Sequence, residues 1–422
     1  VDGAVYSVPF ACSGAAGNNG GPGRRTNITF DPSAVVISGV TPTSSSFRNT
    51  TDVAYNFSEA CYSGTVTWTR TGGATDGASP HVVTLVGAEL DPGPHGPAPL
   101  ANNPALVDGA IYSVQFDCTD FAANPSTPIT VTNVTYDFTL PVISGIAPAA
   151  AAFINTKQVS YTLSENCASG TITWTQTGGA PDGLSPHAKP LVGGELTAGT
   201  KTNLVITNVP SLVNAAVYTI AFNCTDAAGN VAVPVSVTGV TYDDAPPTVS
   251  IENLRNNSAV HTGHVIGPAT DNVGVTQVQF NLDSTTWNNA TYTAPNWKFA
   301  LPMGASTWRD RTVHTIQVRA VDAAGNETLT PLINVRKGNN RDVNGDGYED
   351  FAVSGYMHDG NQGALYVYYG VAGGLPDDAA GIAPTVQSTT AGDYFGRNSA
   401  MADFNGDGFA DVAIAAPGTG AS

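Results

Sequence analysis

Apolar and polar residues alternate in many short stretches of the first 330 positions of the chain. VAYNF at 53–57 and IYSVQFDC at 111–118 both place an apolar side chain at every second position. A period of two sends successive side chains to opposite faces of an extended backbone, which is the pattern of half-buried antiparallel strands. Turn residues (Gly, Pro, Asn and Asp) separate these short segments. The pattern therefore predicts an all-β chain.

This pattern repeats along the chain. VDGAVYSVPFAC (1–12) returns as VDGAIYSVQFDC (107–118) and as VNAAVYTIAFNC (213–224), each copy 106 residues after the one before. Likewise, GTVTWTRTGG (64–73) returns as GTITWTQTGG (170–179). Many short strands in a unit of about 100 residues are typical of an immunoglobulin-like β-sandwich, so the repeat predicts tandem sandwiches.

Segments that contain acidic residues and proline mark the domain edges at 29–39, 135–145 and 241–251. Each leads from a closing strand into a new first strand. The predicted units are the closing strands of an incomplete sandwich (1–32), two complete sandwiches (33–137 and 138–243), a divergent sandwich (244–336) and a different region (337–422). We therefore expect a chain that is either a fragment or one whose first unit is completed by another molecule.

The five cysteines fall into the same register. Pairing within the proposed boundaries gives Cys61–Cys118 and Cys167–Cys224, each 57 residues apart, and leaves Cys12 without a partner in this chain. The rival pairing, Cys12–Cys61 and Cys118–Cys167, would cross the proline-containing linkers, so we reject it. Disulfides indicate an oxidising, extracellular compartment.

Two acidic loops near the C-terminus carry the clearest chemistry. DVNGDGYED (342–350) and DFNGDGFAD (403–411) share the form D-x-N-G-D-G-x-x-D, 61 residues apart. Several carboxylates together with amide and carbonyl oxygens suit Ca²⁺. The predicted ligands of two Ca²⁺ ions are the side chains of Asp342, Asn344, Asp346 and Asp350 with the carbonyl of Tyr348, and the side chains of Asp403, Asn405, Asp407 and Asp411 with the carbonyl of Phe409. An EF-hand is excluded, because Val353 and Ile414 stand where its loop needs a final acid.

These loops, together with Phe395-Gly396 and AAPG at 415–418, resemble the FG-GAP repeat of integrin α-chain-like β-propellers. The resemblance implies a Ca²⁺ ion bound by each loop at the rim of a propeller blade. A ring of at least four blades would need more than the 86 residues that follow position 336, so we expect an incomplete propeller region. The repeats, through YTLSEN, GTITWTQTGG and VDAAGN, resemble bacterial Ig-like domains, which implies a bacterial cell-surface location.

The net charge and the remaining motifs argue against several classes of function. The net charge of −18 makes nucleic acid a poor partner, and the absence of an apolar run of 18 residues predicts no membrane span. DGASPH (76–81) and DGLSPH (182–187) bring Asp, Ser and His close together, but Asp-Gly and Ser-Pro are turn dipeptides and no oxyanion hole is evident. We therefore predict that the chain is not an enzyme.

Eight N-x-S/T sequons make N-glycosylation a candidate modification. They lie at Asn27, Asn49, Asn56, Asn133, Asn223, Asn256, Asn289 and Asn326. Asn223 alternates with Phe222 and Cys224, so its side chain is expected to point to solvent.

The favoured function is a non-enzymatic extracellular structural or adhesive protein, a disulfide-braced rod with Ca²⁺-binding loops. Its expected partners are other copies of itself, head to tail in a surface fibre, or other surface proteins and glycans. In such a fibre Tyr6, Val8 and Phe10 would be buried against a neighbouring copy. The alternative is a polysaccharide-binding accessory region of a large secreted hydrolase, which would need an exposed aromatic platform.

Overall fold

The computed structural model describes residues 3–260, 263–301, 313–337, 341–344, 348–371, 374, 385–402, 404 and 409–418. Its regular structure is almost entirely β-strand, arranged in paired sheets. The prediction of an all-β fold with sandwich-type sheets is confirmed. None of the helices in these ranges is long and apolar enough to cross a membrane.

The chain begins with a two-stranded antiparallel hairpin, β1 (Ala4–Phe10) and β2 (Gly23–Phe30). Among the described residues, β1 pairs only with β2. Apolar side chains on both strands are exposed. We call this unit the N-terminal hairpin.

The first sandwich has eight strands and a 3₁₀ turn at Gly87–Leu90. Its strands are β3 (Ile37–Thr41), β4 (Phe47–Arg48), β5 (Val53–Phe57), β6 (Cys61–Gly73), β7 (His81–Thr84), β8 (Gly93–Ala98), β9 (Ala110–Asp120) and β10 (Ile129–Tyr136). One sheet has the order β4-β10-β9-β6-β7 and the other β3-β5-β8. Alternate residues of both sheets, among them Trp68, Tyr112 and Phe116, fill the core between them.

The second sandwich repeats this topology, with a 3₁₀ turn at Gly193–Leu196. Its strands are β11 (Ile143–Ala147), β12 (Phe153–Ile154), β13 (Val159–Leu163), β14 (Ser169–Gly179), β15 (His187–Pro190), β16 (Gly199–Leu204), β17 (Ala216–Thr225) and β18 (Val235–Tyr242). The sheets are β12-β18-β17-β14-β15 and β11-β13-β16. Trp174, Tyr218 and Phe222 occupy the core positions of their counterparts 106 residues earlier.

The third sandwich differs in its strands but encloses a core of the same kind, built around Phe280 and Trp297. Its strands are β19 (Thr248–Val249), β20 (Ser258–Val260), β21 (His264–Thr270), β22 (Val275–Leu282), β23 (Trp287–Asn289), β24 (Thr291–Thr293), β25 (Asn296–Ala300), β26 (Val313–Asp322), β27 (Glu327–Leu329) and β28 (Ile333–Lys337). The sheets are β19-β21-β25-β24 and β20-β28-β26-β22-β23, with β27 beside β26.

The C-terminal region contains two small antiparallel sheets and a short helical segment at His358–Asn361. Its strands are β29 (Phe351–Gly355), β30 (Ala364–Tyr368), β31 (Val386–Gln387), β32 (Asn398–Ala402) and β33 (Asp411–Ala415). The sheets are β29-β30-β31 and β32-β33. The first acidic loop leads into β29, and the second leads into β33.

Both predicted disulfides, Cys61–Cys118 and Cys167–Cys224, are present, and Cys12 is an exposed free thiol. In the first sandwich the bond joins neighbouring strands of one sheet, since Gly64 of β6 lies opposite Cys118 of β9. The bond therefore braces the end of a strand pair and does not join the two sheets.

Candidate metal sites and domain junctions

The first acidic loop is closed by hydrogen bonds to its last carboxylate, that of Asp350. Asp350 is buried at the start of β29, and its Oδ2 accepts a hydrogen bond from the amide of Val343 at 2.6 Å. Its Oδ1 accepts from the amide of Gly370 at 2.8 Å. Asp342, at the other end of the loop, is buried as well. Two carboxylates are thus held at the base of one tight loop.

The second acidic loop has the same closure. Asp411 Oδ2 accepts from the amide of Phe404 at 2.9 Å, which is the counterpart of the bond between Asp350 and Val343. The two loops are neighbours, because the amide of Ala410 donates to the carbonyl of Asp342 at 2.8 Å.

Six of the ten predicted metal ligands lie within the described residues. They are Asp342, Asn344, Tyr348, Asp350, Phe409 and Asp411. Asp346, Asp403, Asn405 and Asp407 lie outside the described residues. Carboxylate, amide and carbonyl oxygens are the donors that Ca²⁺ takes, so the described residues fit such an ion chemically.

Phe395-Gly396 joins the two small sheets. Gly396 adopts a φ of +86°, and a Cβ at this position would lie 2.8 Å from the Cβ of Ser354 in β29. Its amide donates to the carbonyl of Ala415 in β33. Only glycine combines this backbone conformation with so close an approach.

Three further acidic clusters lie where one unit follows another. Each combines a linker aspartate, an acid after the third strand of the next sandwich, and an aspartate at the end of a long strand. One carboxylate oxygen from each residue lies within 4.8 Å of the others. The clusters are Asp31–Glu59–Asp120, Asp137–Glu165–Asp226 and Asp243–Asp271–Asp322.

An asparagine fastens each of these junctions. Asn124, Asn230 and Asn326 donate from Nδ2 to the linker carbonyls of Asp31, Asp137 and Asp243, respectively, at 2.8–2.9 Å. Each also donates to the strand-end aspartate of its own cluster. Consecutive units are therefore linked end to end through one repeated arrangement.

The sequence motifs did not predict these clusters. The signal is present in the printed sequence: the linker aspartates at 31, 137 and 243 and the acids at 59, 165 and 271 both recur every 106 residues. These acids are far apart along the chain, and no compact motif marks them. Only the strand pairing brings them together.

The Asp-Gly/Ser-Pro loops are turns, as predicted. His81 Nε2 lies 2.6 Å from Asp76 Oδ2, and the Tyr112 hydroxyl donates to the same oxygen at 2.7 Å. Ser79 Oγ accepts from the amide of Arg70 and has no contact with His81 among the described interactions. The hydrogen bonds from His81 and Tyr112 lower the pKa of Asp76 to about 2. The contacts of Asp76 with His81 and Tyr112 hold this loop in one conformation.

The described tryptophans do not form an aromatic platform. Trp68, Trp174 and Trp297 are buried in the three cores, and Trp287 stacks under the guanidinium of Arg319 at 4.7 Å. Trp308 lies outside the described residues. The exposed aromatic pair with a ring contact is Tyr62 and Phe121, whose centroids are 5.5 Å apart.

The sequons fall into two groups by the environment of the amide nitrogen that would carry a glycan. Asn27, Asn133, Asn223, Asn256 and Asn289 are exposed, as expected for Asn223. In Asn49, Asn56 and Asn326 the Nδ2 donates to Asn230, Ser38 and Asp243, respectively. A glycan on this second group would replace a hydrogen bond of the fold.

Residues 395–422 match the FG-GAP repeat family. A stretch of 78 residues is 40% identical to human integrin alpha-10, which corresponds to 18% of this chain and 7% of that relative. The chain thus spans a small part of the length of the relative it matches.

Among solved structures, the chain is similar to the chicken CNTN1 FN1-FN3 domains (11% identity, 72% of this chain and 98% of that one, TM-score 0.28). It is also similar to fibronectin(III)-like modules of Clostridium thermocellum CbhA (12% identity, 46% of this chain and 93% of that one, TM-score 0.27). A third similar structure is a tetra-tandem repeat from the extending region of a large adhesion protein (16% identity, 92% of this chain and 89% of that one, TM-score 0.26). All three TM-scores are below 0.5, so the fold assignment rests on the strand pairing described above.

Proposed function

We propose that this chain is a non-enzymatic extracellular structural and adhesive protein. The observation that carries the proposal is the succession of disulfide-braced sandwiches, fastened end to end, with an FG-GAP match at residues 395–422. Each junction repeats the same hydrogen bond from an asparagine to a linker carbonyl. Such an arrangement serves as a stalk that holds a terminal contact region away from a surface.

An oxidising location supports this role. The two bonded cysteine pairs are buried within their sandwiches, and disulfides of this kind persist in secreted and cell-surface proteins. The bacterial cell surface inferred from the Ig-like segments is part of the proposal.

The FG-GAP loops would each hold a Ca²⁺ ion that stabilises the C-terminal contact region. In the first loop Asp342 and Asp350 supply buried carboxylates; in the second, Asp411 closes the loop in the same manner. A divalent cation would offset the repulsion between these carboxylates and thereby order the loops.

The N-terminal hairpin would associate with a second copy of the chain. Val8 and Phe10 are 38% and 57% exposed, whereas their counterparts Val114 and Phe116 in the first sandwich are 0% and 1% exposed. The edge of β1 that corresponds to the β6-paired edge of β9 carries no strand among the described residues. An apolar strand with an unpaired edge is a template for pairing with another chain, and head-to-tail repetition of such a contact would give the proposed fibre.

The adhesive role is tested with beads coated with the full chain and a surface coated with the same chain. We expect beads to adhere in Ca²⁺ and to detach in EDTA. The Asp350→Asn variant should adhere less at limiting Ca²⁺, whereas Asp359→Asn, a change in the same region outside both acidic loops, should behave as the wild type. Equal adhesion to an uncoated surface, or none under any condition, would contradict the proposal.

A further inference from the structure

The junction between the second and third sandwiches contains a buried carboxylate oxygen that has no partner. Asp243 follows β18 and is completely buried. Its Oδ1 accepts a hydrogen bond from the amide of Ala245 at 3.3 Å, but its Oδ2 has no hydrogen-bond partner among the described residues. An unsatisfied buried oxygen of a charged group is costly, so something else is expected to satisfy it.

The surroundings of this oxygen are acidic. One carboxylate oxygen each from Asp243, Asp271 and Asp322 lies within 4.8 Å of the others. Burial, followed by the negative charges of Asp271, Asp322 and Asp244, raises the pKa of Asp243. No described lysine or arginine is among the groups that shift this pKa. A cation bound among the three carboxylates would offset the repulsion between them.

Backbone and side-chain donors hold the other two carboxylates in place. Asp271 Oδ2 accepts from the amides of Val273 and Gly274 at 2.7 and 2.8 Å. Asp322 accepts from both the amide and the Nδ2 of Asn326. The two acids are thus oriented by their own loops, independently of Asp243.

We propose that Asp243, Asp271 and Asp322 together bind a Ca²⁺ ion at this junction. Oxygens that share one Ca²⁺ at 2.3–2.6 Å lie no more than about 5 Å apart, and these three meet that condition. Water would complete the six to eight ligands that the ion takes. This site goes beyond the FG-GAP loops and does not depend on them.

An ion here would join two sandwiches. The amide of Asp243 donates to the carbonyl of Ile154 in the second sandwich, and its own carbonyl accepts from Asn326 in the third. Asp271 and Asp322 both belong to the third sandwich. Binding would therefore restrict rotation about the linker and stiffen the stalk.

The test is a calorimetric titration of the full chain with Ca²⁺ after extensive chelation. Asp243→Asn should lose one equivalent of bound Ca²⁺, or bind it at least about tenfold more weakly, as is usual when a metal site is impaired. The matched control is Glu252→Gln, which removes the same charge from an exposed acid of the third sandwich outside the cluster, and it should titrate like the wild type. Equal stoichiometry and affinity in the two variants would overturn the proposal.

Two further variants keep the result interpretable. If Asp243→Asn fails to fold, as judged by circular dichroism, Asp271→Asn tests the same site from an acid that is not completely buried. Asp350→Asn reports on the FG-GAP loops alone. Loss of an equivalent in Asp350→Asn with none in the junction variants would refute the junction site, and the reverse would support it while contradicting Ca²⁺ binding by the loops.

Discussion

At the scale of single residues, buried acids in this protein act mainly as acceptors that fix loops. Asp76 accepts from the Tyr112 hydroxyl and the Ala78 amide, and Glu195 accepts from the amides of Val192 and Thr207. Several hydrogen-bond donors on one buried carboxylate hold its loop in one conformation. The resemblance of the Asp-Ser-His loops to a catalytic arrangement thus has a structural explanation.

The first prediction concerns Asp76. Because the folded-state pKa of about 2 is below the value of about 3.9 for an unfolded aspartate, this group stabilises the first sandwich above pH 4. The stabilisation is lost as the pH falls from 4 through 2. Asp76→Asn should therefore be less stable than the wild type in urea at pH 6, and the difference should shrink toward pH 2. A difference that does not depend on pH would contradict this account.

A second residue-scale prediction concerns Glu195, a buried acid beside the 3₁₀ turn of the second sandwich. Glu195→Ala leaves the amides of Val192 and Thr207 without their acceptor, which costs about 1–3 kcal/mol for each group that remains buried. Hydrogen exchange read by mass spectrometry should be faster in peptides of the second sandwich and unchanged in those of the first. Glu195→Gln, which keeps one acceptor oxygen, should show a smaller effect; equal effects would argue against the role of these bonds.

At the scale of elements, the alternation of apolar residues correctly predicts the long strands of the sandwiches. Val53–Phe57 and Ala110–Asp120 are strands with the expected faces buried, because a period of two in a half-buried sheet leaves little freedom of register. The disulfide partners followed from the same register. The sequence does not show that the Cys61–Cys118 bond lies within one sheet, because strand order depends on long-range pairing.

The candidate sites were predicted less completely. The two acidic loops are contiguous in sequence, so their composition and spacing are enough to make them candidates. The junction clusters combine acids from three separate segments, such as Asp243, Asp271 and Asp322, and sequence spacing alone does not show that these segments converge. The unpartnered oxygen of Asp243 is a property of packing and appears only in three dimensions.

The third prediction concerns the disulfide of the first sandwich. Replacing Cys61 and Cys118 together by alanine opens a loop of 57 residues, which lowers the free energy of unfolding by up to about 4 kcal/mol in the chain-entropy model. Proteolysis in increasing urea should cut the first sandwich at a lower concentration than in the wild type. The second sandwich retains Cys167–Cys224 and serves as an internal control. Simultaneous loss of both sandwiches would show that they do not unfold independently.

At the scale of the whole molecule, repetition explains how the sandwiches are joined and how the N-terminal hairpin differs from them. The three sandwiches each close their own core, and each junction uses an asparagine and an acidic cluster in equivalent positions. The N-terminal hairpin corresponds in sequence to β9 and β10 of the first sandwich, yet its apolar face is exposed where theirs is buried. The same strand sequence thus has its apolar side chains buried within a sandwich and exposed in the hairpin.

This contrast leads to the last prediction, which concerns self-association. Burial of a valine and a phenylalanine contributes about 1.5–3 kcal/mol each, so Val8→Ser with Phe10→Ser should weaken association between copies at least tenfold. Sedimentation velocity over a range of concentrations would measure this, with a reducing agent present so that the exposed Cys12 forms no disulfide between chains. Tyr62→Ser, which removes an exposed aromatic from the first sandwich, is the control and should associate like the wild type. A wild-type chain that remains monomeric at every concentration would rule out the hairpin as a contact between copies.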